Sequence, residues 1–254
     1  MLFLVGLGLD IKDLSVKALE RLKSADEILF DSYTSTISSA YLEFLEKETQ
    51  KTIKRVGRSA LEEDVANTIA AARSKDIAII VPGDPLIATT HHTILDAARR
   101  MNINYEIIHA PSVFSAAIGE SGLDIYKFGP TTTVPFWSEN YKPISFIDTI
   151  KKNIENGEHT LVLLDINPKT GEPMDIETAI ALLLRAESDK GYSIISQAKL
   201  LILANLGRPG QKIAYVETKA ISKLASDLKR KTISIIIPAK TNFAEDEALN
   251  KYSQ

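Results

Sequence analysis

The sequence predicts an α/β fold made of two subdomains, and three observations support this prediction. Short apolar runs alternate with helix-period segments through the first half, a pattern typical of a mostly parallel sheet covered by helices. A polar stretch containing Pro and Gly follows at residues 127–145, and the runs beyond it indicate mixed strand order. The chain has 254 residues, of which 44% are hydrophobic, so it can bury a substantial core.

The first subdomain is predicted to span residues 1–130. Its strands are predicted at the apolar runs LFLVGL, EILF, DIAIIVP and YEIIH. Its helix-period segments are VKALERLKSA, LEEDVANTIAAARS and TILDAARRM. A further run lies around Ala40 to Leu45. These elements alternate in the order that a parallel sheet with crossover helices requires.

The second subdomain is predicted to span residues 131–254. Helices are expected at FIDTIKKNIENG and at MDIETAIALLLRAE, the latter with Asp175 near its start. Strands are expected at HTLVLLDI, KLLILANLG, KIAYVET and TISIIIP. Residues 242–254 predict a loosely attached terminal helix.

Composition excludes several classes of function. Thirty basic residues stand against 33 acidic ones, a net charge of -3, so no footprint for nucleic acid or an anionic membrane is expected. The absence of cysteine removes disulfides and thiolate chemistry. The N-terminal MLFLVGLGLDIKD is too short for a membrane span and lacks a basic leader. We therefore expect a cytoplasmic protein with no membrane segment.

Two glycines, Gly6 and Gly8, end the first predicted strand in VGLGLDIKDLSVKAL. Without a Cβ, backbone at such a position can approach a ligand closely. A dinucleotide fingerprint is excluded because GxGxxG would need glycine where Ile11 stands. A turn with purely structural glycines remains an equal alternative.

The stretch VPGDPLIATTHH carries more information. Pro82 and Pro85 stiffen a turn in which Gly83 allows an unusual backbone angle, and Asp84 follows a strand end, where open α/β sheets bind ligands. We favour a ligand role for Asp84 over the alternative of a helix cap. His91 and His92 are adjacent, so their side chains diverge and a shared metal is not expected. Either could act as a base or have a structural role.

Two further strand ends carry polar residues. In HAPSVFSAAIGESGL, Pro111 and Ser112 are expected to open a helix whose free backbone donors face the same site, with an ordinary capped helix as the alternative. In LVLLDI, Asp165 could serve the site or cap the turn at Asn167-Pro168. Several aromatic residues could line a site for a cationic ligand, although packing is the simpler interpretation. They are Tyr33, Phe114, Tyr126, Phe128, Phe136, Trp137 and Tyr141.

Together these stretches resemble the diphthine synthase family, S-adenosylmethionine-dependent methyltransferases of diphthamide biosynthesis that are related to the tetrapyrrole methylases. The resemblance covers essentially the whole chain, including VPFWSENYKPISFIDTIKKNIENGEHTLVLLDI and IIIPAKTNFAEDEAL. Its specific part is GDPLIATTHH followed by HAPS.

The resemblance implies two α/β subdomains of the tetrapyrrole methylase type, with the cofactor S-adenosyl-L-methionine in a cleft between them and no metal. The implied donor contacts are Leu9, Asp84, Ile87, Ser112, Val113, Leu164, Ala204 and Ile233. LANLGRPGQ departs from the family pattern, and Ile233 replaces a residue that is often polar, so contacts at Ala204 and Ile233 are expected through backbone.

The implied substrate is translation elongation factor 2 carrying an amino-carboxypropyl histidine, whose amino group is methylated three times in the archaeal type to form diphthine. A homodimer is also implied. His91 and His92 are candidates for the base by position alone, with bulk water as the alternative proton acceptor. Two rival functions are a methyltransferase for a tetrapyrrole such as a cobalamin precursor, and a nucleotide-binding regulatory module without chemistry.

Overall fold

The computed structural model describes residues 1–34, 36–167 and 170–253. The chain divides into two compact units, Met1–Ser112 and Val113–Gln254. The predicted boundary between residues 130 and 131 lies further along the chain than this division. It stays a prediction about the domains.

The first unit is built on a five-stranded parallel sheet of order β3-β2-β4-β1-β5. Its strands are β1 (Leu2–Gly6), β2 (Glu27–Asp31), β3 (Ile53–Val56), β4 (Ile77–Val81) and β5 (Tyr105–Ile108). Its helices are α1 (Val16–Ser24), α2 (Ser39–Thr49), α3 (Val65–Ile69) and α4 (His92–Arg100). The predicted parallel sheet is confirmed.

Side chains alternate across this sheet and fill a separate core on each face. Phe3 and Val5 of β1 pack with residues of α1 and α2, whereas Leu2 and Leu4 pack with residues of α3 and α4. Successive residues of a strand point to opposite faces, so a strand covered on both sides is apolar throughout. That is why β1 and β4 are recognisable in the sequence.

Two features of the first unit differ from the sequence prediction. The edge strand β3 was missed because Lys54 and Arg55 in its middle are exposed, which breaks the apolar pattern. The single helix predicted at LEEDVANTIAAARS is interrupted. The segment contains part of a π turn at Ser59–Glu63, then α3, then a 3₁₀ turn at Ala70–Arg73.

The second unit is built on a five-stranded sheet of order β6-β7-β10-β8-β9, and its predicted mixed character is confirmed. Its strands are β6 (Thr132–Val134), β7 (Thr160–Leu164), β8 (Lys199–Ala204), β9 (Lys212–Glu217) and β10 (Ile233–Ile237). Its helices are α5 (Val113–Ser121), α6 (Ser145–Asn156), α7 (Ile176–Lys190), α8 (Ala225–Leu228) and α9 (Phe243–Asn250). Strand β6 was missed, because three residues inside a polar stretch carry no measurable alternation.

The terminal helix α9 is firmly attached, so the prediction of a loose helix was wrong. Glu245 is buried and accepts hydrogen bonds from Lys127 Nζ, His159 Nε2 and the backbone N–H of Asp124. It also forms a capping box with Asn242 at the start of α9. These buried contacts of Glu245 therefore attach α9 to the rest of the second unit, although the helix has no broad apolar face.

Within the described parts of the chain, no helix is both long and apolar enough to cross a membrane.

Candidate functional site

The candidate site of the first unit lies at the carboxyl ends of three adjacent strands, β4, β1 and β5. The connection after β1 leads to α1 on one face of the sheet, and the connection after β4 leads to α4 on the other. Neighbouring strands whose connections leave on opposite faces form a topological switch point, where open α/β sheets bind their ligands. The predicted glycine loop, GDP turn and HAPS turn all lie at this edge.

A backbone bridge joins the glycine loop to the GDP turn. Gly83 N–H donates to Gly8 O at 2.9 Å, and Gly8 N–H donates to Gly83 O at 3.3 Å. Leu7 N–H also donates to Val81 O at 2.9 Å. The bridge therefore holds the two loops together beyond the ends of β1 and β4.

Because Gly6 has no side chain, the loops that follow β4 and β5 can approach each other at the end of β1. A Cβ at Gly6 would lie 2.7 Å from Gly83 O and 2.9 Å from both Pro85 Cδ and Ala110 Cβ. Gly8 has φ +74°, and its Cβ would lie 2.3 Å from Asp13 Cβ. At both glycines a Cβ would collide with neighbouring protein atoms. This supports the interpretation of Gly6 and Gly8 as structural glycines.

Replacing Gly6 with alanine is expected to force these three loops apart. The added methyl group meets backbone and a rigid proline ring, so we expect a loss of about 1 to 3 kcal/mol in the free energy of unfolding, as for overpacked sites. Urea unfolding measures this loss. Gly57→Ala is the matched control, because nothing lies within 4 Å of a Cβ there. Equal stability of the two variants would contradict the packing role of Gly6.

The Asp84 carboxylate ties the GDP turn to the loop after β5. Its Oδ1 accepts from Leu86 N–H at 3.0 Å, and its Oδ2 accepts from Ala110 N–H at 3.2 Å. The Nδ1 atom of His109 lies 2.8 Å from the same Oδ2. Asp84 is only 7% exposed. A helix-cap role is excluded because α4 begins only at His92, with His91 before it.

His109 lies at the rim of the site with its imidazole in solvent. Its side chain is 67% exposed, whereas that of its partner Asp84 is 8% exposed. Ser112 stands directly before α5, the position that HAPS predicted. The sequence did not single out His109. Its pairing depends on Asp84 reaching across the end of β1, and strand order is not visible in the sequence.

The tip of the GDP turn presents apolar surface. Ile87 is 40% exposed, and the neighbouring Ala88 has φ +55°. A left-handed conformation costs a non-glycine residue on the order of 1 kcal/mol, and such strain is concentrated at ligand-binding loops. At the glycine loop, the backbone N–H of Leu9 donates to Asp13 Oδ2 at 3.0 Å.

His91 is a structural residue, so its candidacy as the base was wrong. It is fully buried, its Nδ1 lies 2.9 Å from Pro85 O, and its Nε2 lies 3.2 Å from Asp31 Oδ2. Both ring nitrogens face protein groups inside the first unit. The ring supports the GDP turn from beneath. His92, the first residue of α4, is exposed.

The predicted strand contacts of the second unit fall at the same end of its three central strands, β7, β10 and β8. Ala204 pairs with Ile233 between β8 and β10, and Ser234 pairs with Leu163 between β10 and β7. Leu164 ends β7 next to that pair. Val113 is the first residue of α5. Three separate motifs of the sequence are thus brought together on adjacent strands.

Asp165 holds the turn after β7. Its Oδ2 accepts from Phe136 N–H at 3.0 Å, and its Oδ1 accepts from Ile166 N–H at 2.8 Å. This supports the turn interpretation of Asp165. Pro168 of the predicted Asn167-Pro168 turn lies outside the described residues.

Most of the aromatic residues have ordinary packing contacts. Phe136 packs on the core of the second unit, and the Phe128 ring meets the edge of His159 at 5.4 Å between centroids. Trp137 Nε1 donates to Pro143 O at 3.1 Å. Tyr126 is 94% exposed. In the described segments, no group of three or more side chains of metal-binding type is placed to hold an ion.

Comparison with known proteins identifies the family. The sequence model of Tetrapyrrole (Corrin/Porphyrin) Methylases matches residues 1–222. A diphthine synthase of Methanococcus maripaludis is 37% identical over 251 residues, which is 98% of this chain and 97% of that protein. The chain belongs to the diphthine synthase family. A relative from Methanocaldococcus jannaschii is also 37% identical, over 253 residues covering 98% of this chain and 97% of that one.

Solved structures of the diphthine synthase family have the same fold. A putative diphthine synthase from Entamoeba histolytica has a TM-score of 0.85 at 33% identity, covering 100% of this chain and 98% of that one. A further diphthine synthase has a TM-score of 0.88 at 33% identity, covering 99% and 95%. The predicted family, the predicted fold class and the predicted methyltransferase class are therefore confirmed.

Proposed function

We propose that the chain transfers methyl groups from S-adenosyl-L-methionine to an amino-carboxypropyl histidine of translation elongation factor 2. Its amino group is methylated three times, which forms diphthine. The observation that carries this proposal is the match to diphthine synthases over nearly the whole chain, including the loops of the site. A cytoplasmic location and a homodimer belong to the same proposal.

The proposed donor contacts of the first unit suit a sulfonium nucleoside. Gly83 has φ +73°, and a Cβ there would find only Ser112 atoms at 3.8 Å, so a ligand can lie close to this backbone. Ile87 offers exposed apolar surface for the nucleoside, and the Asp84 carboxylate is a negative charge close to a cationic donor. Leu9 and Ser112 complete the proposed contacts of the first unit.

The second unit contributes the remaining proposed contacts, which are Val113, Leu164, Ala204 and Ile233. Ala204 and Ile233 are buried strand residues at 0% and 6% exposure, which favours contact through their backbone groups. The position of the donor in a cleft between the two subdomains stays a prediction. Because Ala204 is buried within the sheet, a substitution there is expected to affect donor binding by disturbing the packing of the sheet.

The chain's own contribution to the reaction is to bind, orient and deprotonate. When bound, the donor supplies an electrophilic methyl group and a neutral thioether leaving group, so no covalent enzyme intermediate is required. Holding nitrogen, carbon and sulfur in line contributes roughly 7 to 11 kcal/mol. A lysine-like amine has a pKa of about 10.4 in water, so it must lose a proton before each transfer.

The rival functions are weaker. The family model that covers tetrapyrrole methylases matches at the level of the superfamily, whereas the relatives that match nearly the full length are diphthine synthases. A nucleotide-binding module without chemistry would not account for the match beyond the glycine loop. Neither rival is favoured by a contact in the structure.

The test is a mass measurement. The protein is incubated with labelled S-adenosylmethionine and archaeal elongation factor 2 that carries the amino-carboxypropyl histidine, and the modified peptide is then fragmented. We expect a gain of three methyl groups on the amino nitrogen. Elongation factor 2 with an unmodified histidine is the control and is expected to gain none. Transfer to a corrin or porphyrin precursor instead would overturn the proposal.

A further inference from the structure

His109 combines two properties that a proton acceptor needs. Its imidazole is 67% exposed at the carboxyl end of β5, beside the proposed donor contacts Asp84 and Ser112. Its Nδ1 is fixed 2.8 Å from the buried Oδ2 of Asp84. One nitrogen is therefore held by the protein while the rest of the ring is open to a substrate.

The hydrogen-bond partners of Asp84 determine which nitrogen of His109 carries the proton. Both carboxylate oxygens accept backbone N–H groups, from Leu86 and from Ala110. An ionised carboxylate only accepts hydrogen bonds, so the contact at 2.8 Å requires a proton on His109 Nδ1. The neutral ring then has its lone pair on Nε2. This is the arrangement in which a carboxylate orients a histidine base.

We propose that His109 Nε2 is the base that takes the proton from the acceptor amine before each methyl transfer, and that Asp84 is its positioning residue. This inference rests on the proposed function. It names the base that the sequence left unidentified.

The steps balance over three transfers. His109 Nε2 takes one proton from the ammonium group, and the freed lone pair of nitrogen forms the N–C bond. The C–S bond breaks with its electron pair staying on sulfur, which leaves the neutral thioether product. The methylated ammonium then loses its next proton by the same route. Three donors are consumed, and three protons leave an ammonium group that starts with three.

Exposure of His109 suits repeated use, because the imidazolium can pass its proton to water between transfers. The Nδ1–H bond to Asp84 is kept in both protonation states, so the ring need not turn. Other histidines lack one of these properties. His91 and His159 are fully buried. His92 is exposed, but no carboxylate is seen to hold its ring within the described chain.

The kinetic test uses His109→Gln, which keeps a polar side chain of similar reach but has no basic nitrogen. We expect kcat for the modified elongation factor to fall by about a hundredfold or more, with KM and the donor Kd nearly unchanged. Added imidazole should restore rate in proportion to its concentration, because the site is open to solvent. A fall in donor binding equal to the fall in rate, without rescue, would overturn the inference. So would a variant with unaltered kcat, or a loss found in His92→Gln instead.

A second readout does not depend on activity. Nitrogen-15 NMR of the full chain, with the His109 signals assigned by their loss in His109→Gln, should show that the neutral form of the ring carries its proton on Nδ1. A neutral form with its proton on Nε2 would overturn the inference. If the unaltered protein methylates no histidine acceptor, the proposed function fails. If it does so and His109→Gln is equally fast, only the base assignment fails.

Discussion

Replacing Asp84 with asparagine is expected to lower kcat by about a hundredfold or more and to raise the donor Kd by about tenfold, which corresponds to roughly 1.4 kcal/mol. An amide of the same shape still accepts the Leu86 N–H through its oxygen. Its NH₂ group then faces the Ala110 N–H and His109 Nδ1, both of which are donors when Asp84 is intact. The ring loses its fixed tautomer, and the half-buried Ala110 N–H loses its acceptor.

Isothermal calorimetry for the donor and steady-state rates for the modified elongation factor separate the two effects. Losing the acceptor for one buried N–H costs about 1 to 3 kcal/mol, so a moderate loss of stability is expected as well. Asp96→Asn is the matched control, because Asp96 lies in the same unit and its ion pair with Arg99 is exposed. An Asp84→Asn protein with normal kcat and normal donor Kd would contradict both roles of Asp84.

Elements buried on both faces were predictable from the sequence, and elements stabilised by single polar contacts were not. Strands β1 and β4 are buried at every position, so their composition alone identifies them. Strand β3 pairs with β2 at the sheet edge, its two central side chains are exposed, and Lys54 forms an ion pair with Glu27. A polar edge strand of that kind has the composition of a loop.

The candidate site also contains parts that the sequence predicted and parts that it did not. Glycine, proline and aspartate after an apolar strand are typical of a ligand-binding loop, and this signal indicated the glycine loop and the GDP turn, whose role in binding stays a prediction. The pair formed by Asp84 and His109 depends on β1 lying between β4 and β5 and ending in Gly6, whose missing Cβ lets the two flanking loops meet. Those facts belong to strand order. The adjacent His91 and His92 attracted attention only because they are neighbours in sequence.

Replacing Glu245 with glutamine is expected to reduce the free energy of unfolding by about 3 kcal/mol at neutral pH. Burial alone would raise the pKa of Glu245, but hydrogen bonds from Lys127, His159 and two backbone N–H groups outweigh it and lower the pKa from 4.5 to about 2. A carboxyl group with a lowered pKa in the folded state stabilises the fold at pH values above its ordinary pKa. A tenfold change in an acid dissociation constant corresponds to about 1.36 kcal/mol, and the lowered pKa of Glu245 therefore gives the expected loss.

Because the pKa of Glu245 is lowered in the folded state, its contribution to stability depends on pH. The contribution of Glu245 is fully present above about pH 4.5 and is lost as pH falls from 4.5 toward 2, so the two proteins should converge in acid. Urea unfolding at pH 7 and near pH 3 measures this difference. Glu247→Gln on the same helix is the matched control, because that side chain is exposed. His159 Nδ1 accepts from Ala239 N–H at 3.0 Å, so the ring donates its hydrogen bond to Glu245 through Nε2–H. An equal loss in the free energy of unfolding at both pH values would contradict this prediction, because the contribution of Glu245 would then not depend on its charge.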